Sequence, residues 1–300
     1  MNADKSVSQP RHFSLSKWDA TLILLAVLLL LLRLARSDDG GIEQQLKSDY
    51  AGKVLTLRHF YCGDHLRFHS DGALNGDAPV GPWTLDGQIA VEEVHLRNGL
   101  VVIKARRIYR IFDTQLKPQD ELTTIDNYYG KLREDLENTL RSLKAEIEIE
   151  LPSGKPDQKD ISSVIHAVFL TDSESMMEVA PTFWRAYFAK LEDKPQSTPT
   201  TKGPIYVLHP HEMSPPHVTY NPDPDYTREA QKVKYEGTTV ISLVVDASGE
   251  TRDLQITKPL GLGLDENAVK AVSTWKFEPA QKDGKPVSVW VAVEVNFHLY

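Results

Sequence analysis

The chain has 300 residues, a net charge of −8, 41% hydrophobic residues and a single cysteine, Cys62. Its length allows about two domains at roughly 150 residues each, with enough apolar content for each to bury a core. An acidic chain without a long basic run excludes nucleic acid as a partner, because backbone phosphates are met by Lys/Arg clusters. One cysteine excludes an intramolecular disulfide and leaves the redox compartment open.

Lys5, Arg11 and Lys17 precede an apolar run from Trp18 to Ala35, and no polar group interrupts Leu22 to Leu32. Two readings compete. The run is either an uncleaved membrane anchor over 18–36, with 1–17 as a cytoplasmic tail, or a signal peptide cut after Ser37. It is short for a span of about 20 residues, which favours cleavage. The long polar lead and the arginines at Arg33 and Arg36 favour the anchor, which is the expectation here. So uniform a Leu run has no polar face and does not suit a buried soluble helix. Under both readings the chain after Ser37 lies outside the cytoplasm.

Residues 38–48 read as a polar stalk. A β-rich domain of unknown function is expected over 44–191. Val54–Phe60 alternates, Ser70-Asp71-Gly72 and Asn98-Gly99 are hairpin-type turns, and Trp83–Leu85, Gln88–Leu96, Leu100–Lys104 and Ile108–Phe112 read as strands. Leu132, Leu136, Leu140 and Leu143 share one face of an amphipathic helix within Gln119–Lys144. Ala145–Leu151 alternates Glu with Ile, as an edge strand would. Asp160 reads as the cap of a helix over Ile161–Phe169. A second helical stretch, Ser175–Leu191, is broken at Pro181; its stripe of Phe183, Trp184, Tyr187 and Phe188 reads as core against the preceding sheet.

From Glu192 to Asp225 eight prolines punctuate the sequence. Proline at this density favours extended polyproline II, and at about 3.1 Å per residue the stretch reaches roughly 100 Å. A spacer over 192–222 is the expectation.

The last part, 223–300, opens with a short helix from Tyr226 to Lys234 that Asp225 would cap. A β-branched strand, Thr238–Asp246, turns at Ser248-Gly249 into a returning strand, Leu254–Lys258. Leu264, Ala268, Ala271, Val272 and Trp275 make one helix face. In the last strand Val287, Val289, Val291, Val293, Val295, Phe297 and Leu299 alternate with Ser288, Trp290, Ala292, Glu294, Asn296, His298 and Tyr300. Helix, β-hairpin, helix and strand give a two-layer α/β domain, and the whole chain reads as α+β. A short sheet that ends in a long strand offers an edge to an added peptide strand, and such an edge otherwise needs protection. Glu294 and His298 are placed to give it.

Tyr226, Ala230, Gln231, Glu236-Gly237, Val240, Val244, Gly249, Leu264-Asp265, Ala268, Trp275 and Phe277-Glu278-Pro279, in this order and spacing, resemble the C-terminal domain of TonB-family energy transducers. The layout of anchor, Pro-containing spacer and terminal module resembles that family too. The resemblance implies a module that docks on TonB-dependent outer-membrane receptors, taking an extended receptor segment beside its last strand. It implies a bulk in the periplasm and an anchor in the inner membrane. Val287, Val289, Trp290, Val291, Val293, Glu294 and Val295 are the expected docking strand, and Gln231 matches a family position that meets the receptor. The family's anchor carries a histidine facing an ExbB/ExbD-type motor. No histidine lies between Trp18 and Arg36, so layout alone points to that motor. A second reading keeps the module as a tether only, with the specific activity in the middle domain.

Other chemistry is sparse. His59, Cys62, His65 and His69 have ligand types that zinc favours, but alternation along strands sends them to different faces. His209, His211 and His217 lie in the spacer. Gly261-Leu262-Gly263 lacks the third glycine of a dinucleotide loop. Glu146, Glu148 and Glu150 read as a solvated row rather than an acid–base pair. No enzyme activity, cofactor or metal is expected.

Overall fold

The computed structural model describes residues 41–112, 122–124, 143–152, 157–195, 199–201, 203–209 and 211–299. The expected anchor over 18–36 and, of the helix expected over 119–144, Leu132, Leu136 and Leu140 lie outside them. No helix among the described residues is long and apolar enough to cross a membrane. The chain divides at Asp49/Tyr50. Helix α1, over residues 41–50, takes the place of the described part of the expected stalk. A Lys47–Glu43 ion pair of 2.7 Å, one turn apart, supports it.

From Tyr50 onward the first sheet has the order β1-β3-β4-β7-β2, with β1 Val54–Thr56, β2 His65–Phe68, β3 Gln88–Arg97, β4 Leu100–Arg107 and β7 Lys144–Glu150. β3 and β4 form a hairpin closed by Asn98 and Gly99, at φ 53° and 75°. Positive φ at both central residues matches the twist of the flanking strands. Ile89, Val91, Val94, Val101, Ile103, Ala105, Ile147 and Ile149 form the buried face.

Three local expectations change here. Trp83–Asp86 is a one-turn helix, α2, rather than a strand. Pro82 precedes it, and a fixed φ suits a helix entry. Leu122–Thr124 is a strand, β6, pairing with β5 Arg110–Phe112. β7 is not an edge: β4 flanks it on one side and β2, parallel, on the other. That pairing sets His65 and Arg67 opposite Glu146 and Glu148, and His69 meets Glu150 at 2.8 Å, so the glutamate row has polar partners across the sheet.

Helix α3, Gln158–Val168, is capped by Asp157, and Asp160 at its third position completes a capping box. The cap thus falls three residues earlier than expected. Pro181 breaks the next stretch as expected, giving α4 Met176–Val179, a 3-10 turn Thr182–Trp184 and α5 Arg185–Leu191. Trp184, Tyr187 and Phe188 pack around Trp83 and Phe112, stacked between Phe112 and Trp184 and edge-on or tilted elsewhere, at ring separations of 5.3 to 6.2 Å. α5 and the 3-10 turn also lie against Thr251–Lys258, strand β12 of a second sheet. The aromatic stripe is therefore core to both sheets.

The second sheet has the order β12-β11-β15-β14-β9, with β8 also on β15. Its strands are β8 Ile205–Val207, β9 Met213–Ser214, β11 Gly237–Val245, β12 Thr251–Lys258, β14 Ala280–Lys282 and β15 Lys285–Phe297. A separate ribbon pairs β10 His217–Tyr220 with β13 Lys276–Glu278. Helix α6, Arg228–Lys232, is capped by the Thr227 side chain rather than by Asp225. Helix α7, Leu264–Val272, buries Leu264, Ala268, Ala271 and Val272 on the sheet. It ends before Trp275, whose indole N–H donates to the Pro222 carbonyl at 3.2 Å.

Two glycines are required by close approach. Gly249, at φ 85°, turns β11 into β12, and a Cβ there would sit 1.9 Å from the Phe277 carbonyl oxygen. Gly261, at φ 100°, would place a Cβ 2.6 Å from the Arg110 carbonyl oxygen. Gly261 lies where the two halves join. Phe112 N–H donates to Leu260 O at 3.1 Å, Leu262 N–H to Arg110 O at 3.0 Å, and Gly263 N–H to Thr84 Oγ at 2.9 Å.

The expected spacer is the largest difference. The described residues between Thr200 and Tyr220 do not run free. Asp253 accepts from the backbone N–H groups of Thr200 and Thr201, at 2.8 and 2.9 Å, and from both their hydroxyls. β8, β9 and β10 then add to β15, β14 and β13. Proline density excludes a helix, but short edge strands between prolines remain allowed.

Candidate docking edge on the C-terminal sheet

β15 is built by its alternation. Val289, Val295 and Phe297 are buried, and Val287, Val291 and Val293 are part-buried against the core under α7. Ala292, Glu294, Asn296 and His298 are exposed. β11 pairs with Val289–Phe297 on one side of β15, from Gly237↔Phe297 to Val245↔Val289. The Tyr226 ring meets Phe297 edge-on at 5.3 Å, and its hydroxyl donates to Tyr235 O at 3.1 Å. Burial and the nearby Glu236 carboxylate push that phenol pKa up. His298 and the Leu299 N–H both meet Glu236, which closes the strand's end.

The other side of β15 is not the open edge expected along its full length. Lys285–Val287 pair with β14, and Ser288–Trp290 pair in parallel with Ile205–Val207 of β8. From Val291 to Phe297 no strand partner lies on this side among the described residues. Of the expected docking residues, Val287, Val289 and Trp290 fall on the occupied half. Val291, Val293, Glu294 and Val295 fall on the open half. Gln231 is exposed on α6. The signal for β8 was in the sequence: Ile205-Tyr206-Val207-Leu208 is a β-branched and aromatic run amid the prolines.

Beneath the sheet lies a pair of neighbouring carboxylates at the start of α7. Asp265 is buried and ties three elements together. It accepts from Thr239 Oγ of β11 at 2.7 Å and from the N–H groups of Leu260 and Gly261 at 2.8 and 2.7 Å. Burial raises its pKa to about 6, against the pull of these donors. Glu266 Oε1 accepts from Trp184 Nε1 at 2.9 Å, while Oε2 is sealed from solvent without a hydrogen-bond partner. Burial, with the Asp265 charge adding to it, raises the Glu266 pKa to about 8. Glu266 thus fixes the aromatic stripe to α7.

The His/Cys candidates are dispersed. Cys62 donates to Asp86 at 3.2 Å, beside the buried Arg107–Asp86 ion pair of 3.4 Å. His69 pairs with Glu150 at 2.8 Å. His65 does sit between Glu146 and Glu148, at 3.6 and 3.8 Å. Glu148 also accepts from the Arg67 guanidinium there, so one of the three groups already has a cationic partner.

Comparison with known proteins bears on the module. A family model described as Gram-negative bacterial TonB protein C-terminal matches residues 222–299. Protein tonB2 of Pseudomonas aeruginosa is 40% identical over 81 residues, covering 27% of this chain and 30% of that protein. Protein TonB of Vibrio cholerae is 34% identical over 100 residues, covering 33% of this chain and 39% of that protein. These matches span less than half of either relative. The solution NMR structure of the Pseudomonas aeruginosa TonB CTD matches 32% of this chain and 97% of that one, at 20% identity and a TM-score of 0.24. Residues 222–299 thus form a domain similar to the C-terminal domain of Gram-negative bacterial TonB proteins.

Proposed function

We propose that the chain is a TonB-like transducer or adaptor of the cell envelope that docks on TonB-dependent outer-membrane receptors by strand addition to β15. The observation that carries this is the half-open edge. The seven residues Val291–Phe297 pair with β11 on one side and have no strand partner on the other among the described residues. An extended peptide satisfies the backbone groups of such an edge by main-chain hydrogen bonds and gains specificity from alternate side chains. The apolar run at 18–36 serves as an inner-membrane anchor, with the rest of the chain in the periplasm. An ExbB/ExbD-type motor is the further partner for force transduction, and the absence of a histidine in 18–36 makes this the part most exposed to test.

Lysine on an edge strand opposes pairing with another strand. Ala292 and Glu294 are exposed, so Ala292→Lys/Glu294→Lys leaves the core intact. Capture of β-barrel receptors from detergent-solubilised outer membranes by the full chain should then fall about tenfold, a change of about 1.4 kcal/mol, with an unchanged melting temperature. Equal capture by the variant would remove β15 as the docking strand. The tether-only reading predicts receptor capture without any response of transport to this variant.

A further inference from the structure

We infer that Ile205–Val207 is a self-strand: it occupies part of the docking edge in cis and must leave for a receptor segment to take the whole of β15. This rests on the docking reading above. Four observations carry it. β8 lies in register on β15, Ile205↔Ser288, Tyr206↔Val289 and Val207↔Trp290, inside the stretch proposed to receive a partner strand. It is a separate piece of chain rather than part of a hairpin with β15, so it can detach without unravelling the sheet. It is weakly held: the pairing is three residues long, against nine pairs for β11 on the opposite side. Val207 is 65% exposed; Tyr206 packs part-buried against the core, with Lys282 Nζ 4.9 Å from its ring centroid.

The fourth observation is the pair of anchors. Upstream, Asp253 clamps Thr200 and Thr201; downstream, Met213 and Ser214 pair with β14. β8 sits between these fixed points. Its release is therefore a local loop opening, and its return is intramolecular. A tethered strand competes at an effective concentration far above that of a free peptide. The open half of the edge, Val291–Phe297, then acts as the landing site. An incoming strand pairs there first and advances towards Ser288 as β8 peels away. Binding to a state populated only in part is weakened in proportion to that fraction. Self-occupancy thereby lowers affinity for short or poorly matched segments and spares long ones that pair with both halves.

The test uses the full chain and no receptor, so its outcome is independent of whether docking on β15 is right. The probe is a fluorescent synthetic peptide of the Gly203–His209 sequence. The variant is Tyr206→Pro/Val207→Pro. Neighbouring strand residues direct their N–H groups to opposite sides, so one of these prolines removes a ladder donor whichever way β8 faces. The peptide is expected to bind the variant at least about tenfold more tightly than the unmodified chain, whose edge is self-occupied. A second measurement needs no variant. In native-state amide exchange of the unmodified chain, amides of 205–207 that face β15 should open at least about tenfold more often than those of β11. Equal peptide binding by the two chains, or β8 amides as protected as β11 amides, would overturn the proposal.

Discussion

Replacing Glu266 by glutamine should stabilise the chain at pH 8 by roughly 2 to 4 kcal/mol, and flatten the fall of stability with rising pH. The carboxylate has one oxygen on Trp184 Nε1 and the other sealed without a hydrogen-bond partner, so charge there is costly. Its pKa rises from the ordinary 4.5 to about 8 on folding, through burial first and the Asp265 charge second. The folded state therefore holds a proton that the unfolded state has released. Stability is full below the unfolded pKa near 4.5, falls as pH rises, and reaches its lower plateau above about 8. The full shift corresponds to somewhat more than the stated range, but the residue as a whole keeps partial exposure, and solvent there reduces the effect. Glutamine is neutral throughout and keeps an oxygen for the indole N–H. Urea melts of both chains at pH 5 and pH 8 measure this. The curves should nearly coincide at pH 5 and separate at pH 8; equal separation at both would remove the charge as the cause.

The residue next to it should respond in the opposite sense. Asp265→Ala is expected to cost roughly 2 to 4 kcal/mol at pH 7, as the midpoint of the same urea melts reports. It leaves the Thr239 hydroxyl and the N–H groups of Leu260 and Gly261 buried without their acceptor. Removing an ionised buried carboxylate returns some free energy, since burial holds its pKa at about 6, but three orphaned donors outweigh it. A loss below about 1 kcal/mol would mean that the β11–α7 junction does not depend on this carboxylate. Two adjacent acids thus differ in role because their partners differ. Asp265 meets three donors, while Glu266 meets one.

That contrast also marks how far the sequence could be read. Val287 to Phe297 alternate so regularly that strand, faces and burial followed from period alone, and Asn98-Gly99 specified its hairpin by the only turn that suits two positive φ values. The TonB-like spacing of Tyr226, Gly249 and Trp275 located the module. Long-range pairing was not legible. Nothing local to Glu146, Glu148 and Glu150 says that a parallel strand brings His65, Arg67 and His69 beside them. The acids of α7 carry no sign in the sequence that one faces Trp184 and the other Thr239. The segment 203–220 was misjudged for a related reason. Proline density reports which structures are excluded, and edge strands of two to four residues are not among them. The docking edge is proposed on β15 from its alternation, and the part of it that β8 occupies depended on that segment.

The central claim is that β15 receives a receptor strand on the side that β8 now shares. Amide exchange of the full chain, read residue by residue with and without purified TonB-dependent receptors from the same membrane, tests it most directly. Added receptor should slow exchange along 287–297 and speed it at 205–207. Slowed exchange on β15 with 205–207 unchanged would keep docking and contradict displacement; receptor binding that leaves 287–297 unaltered would contradict the docking edge itself.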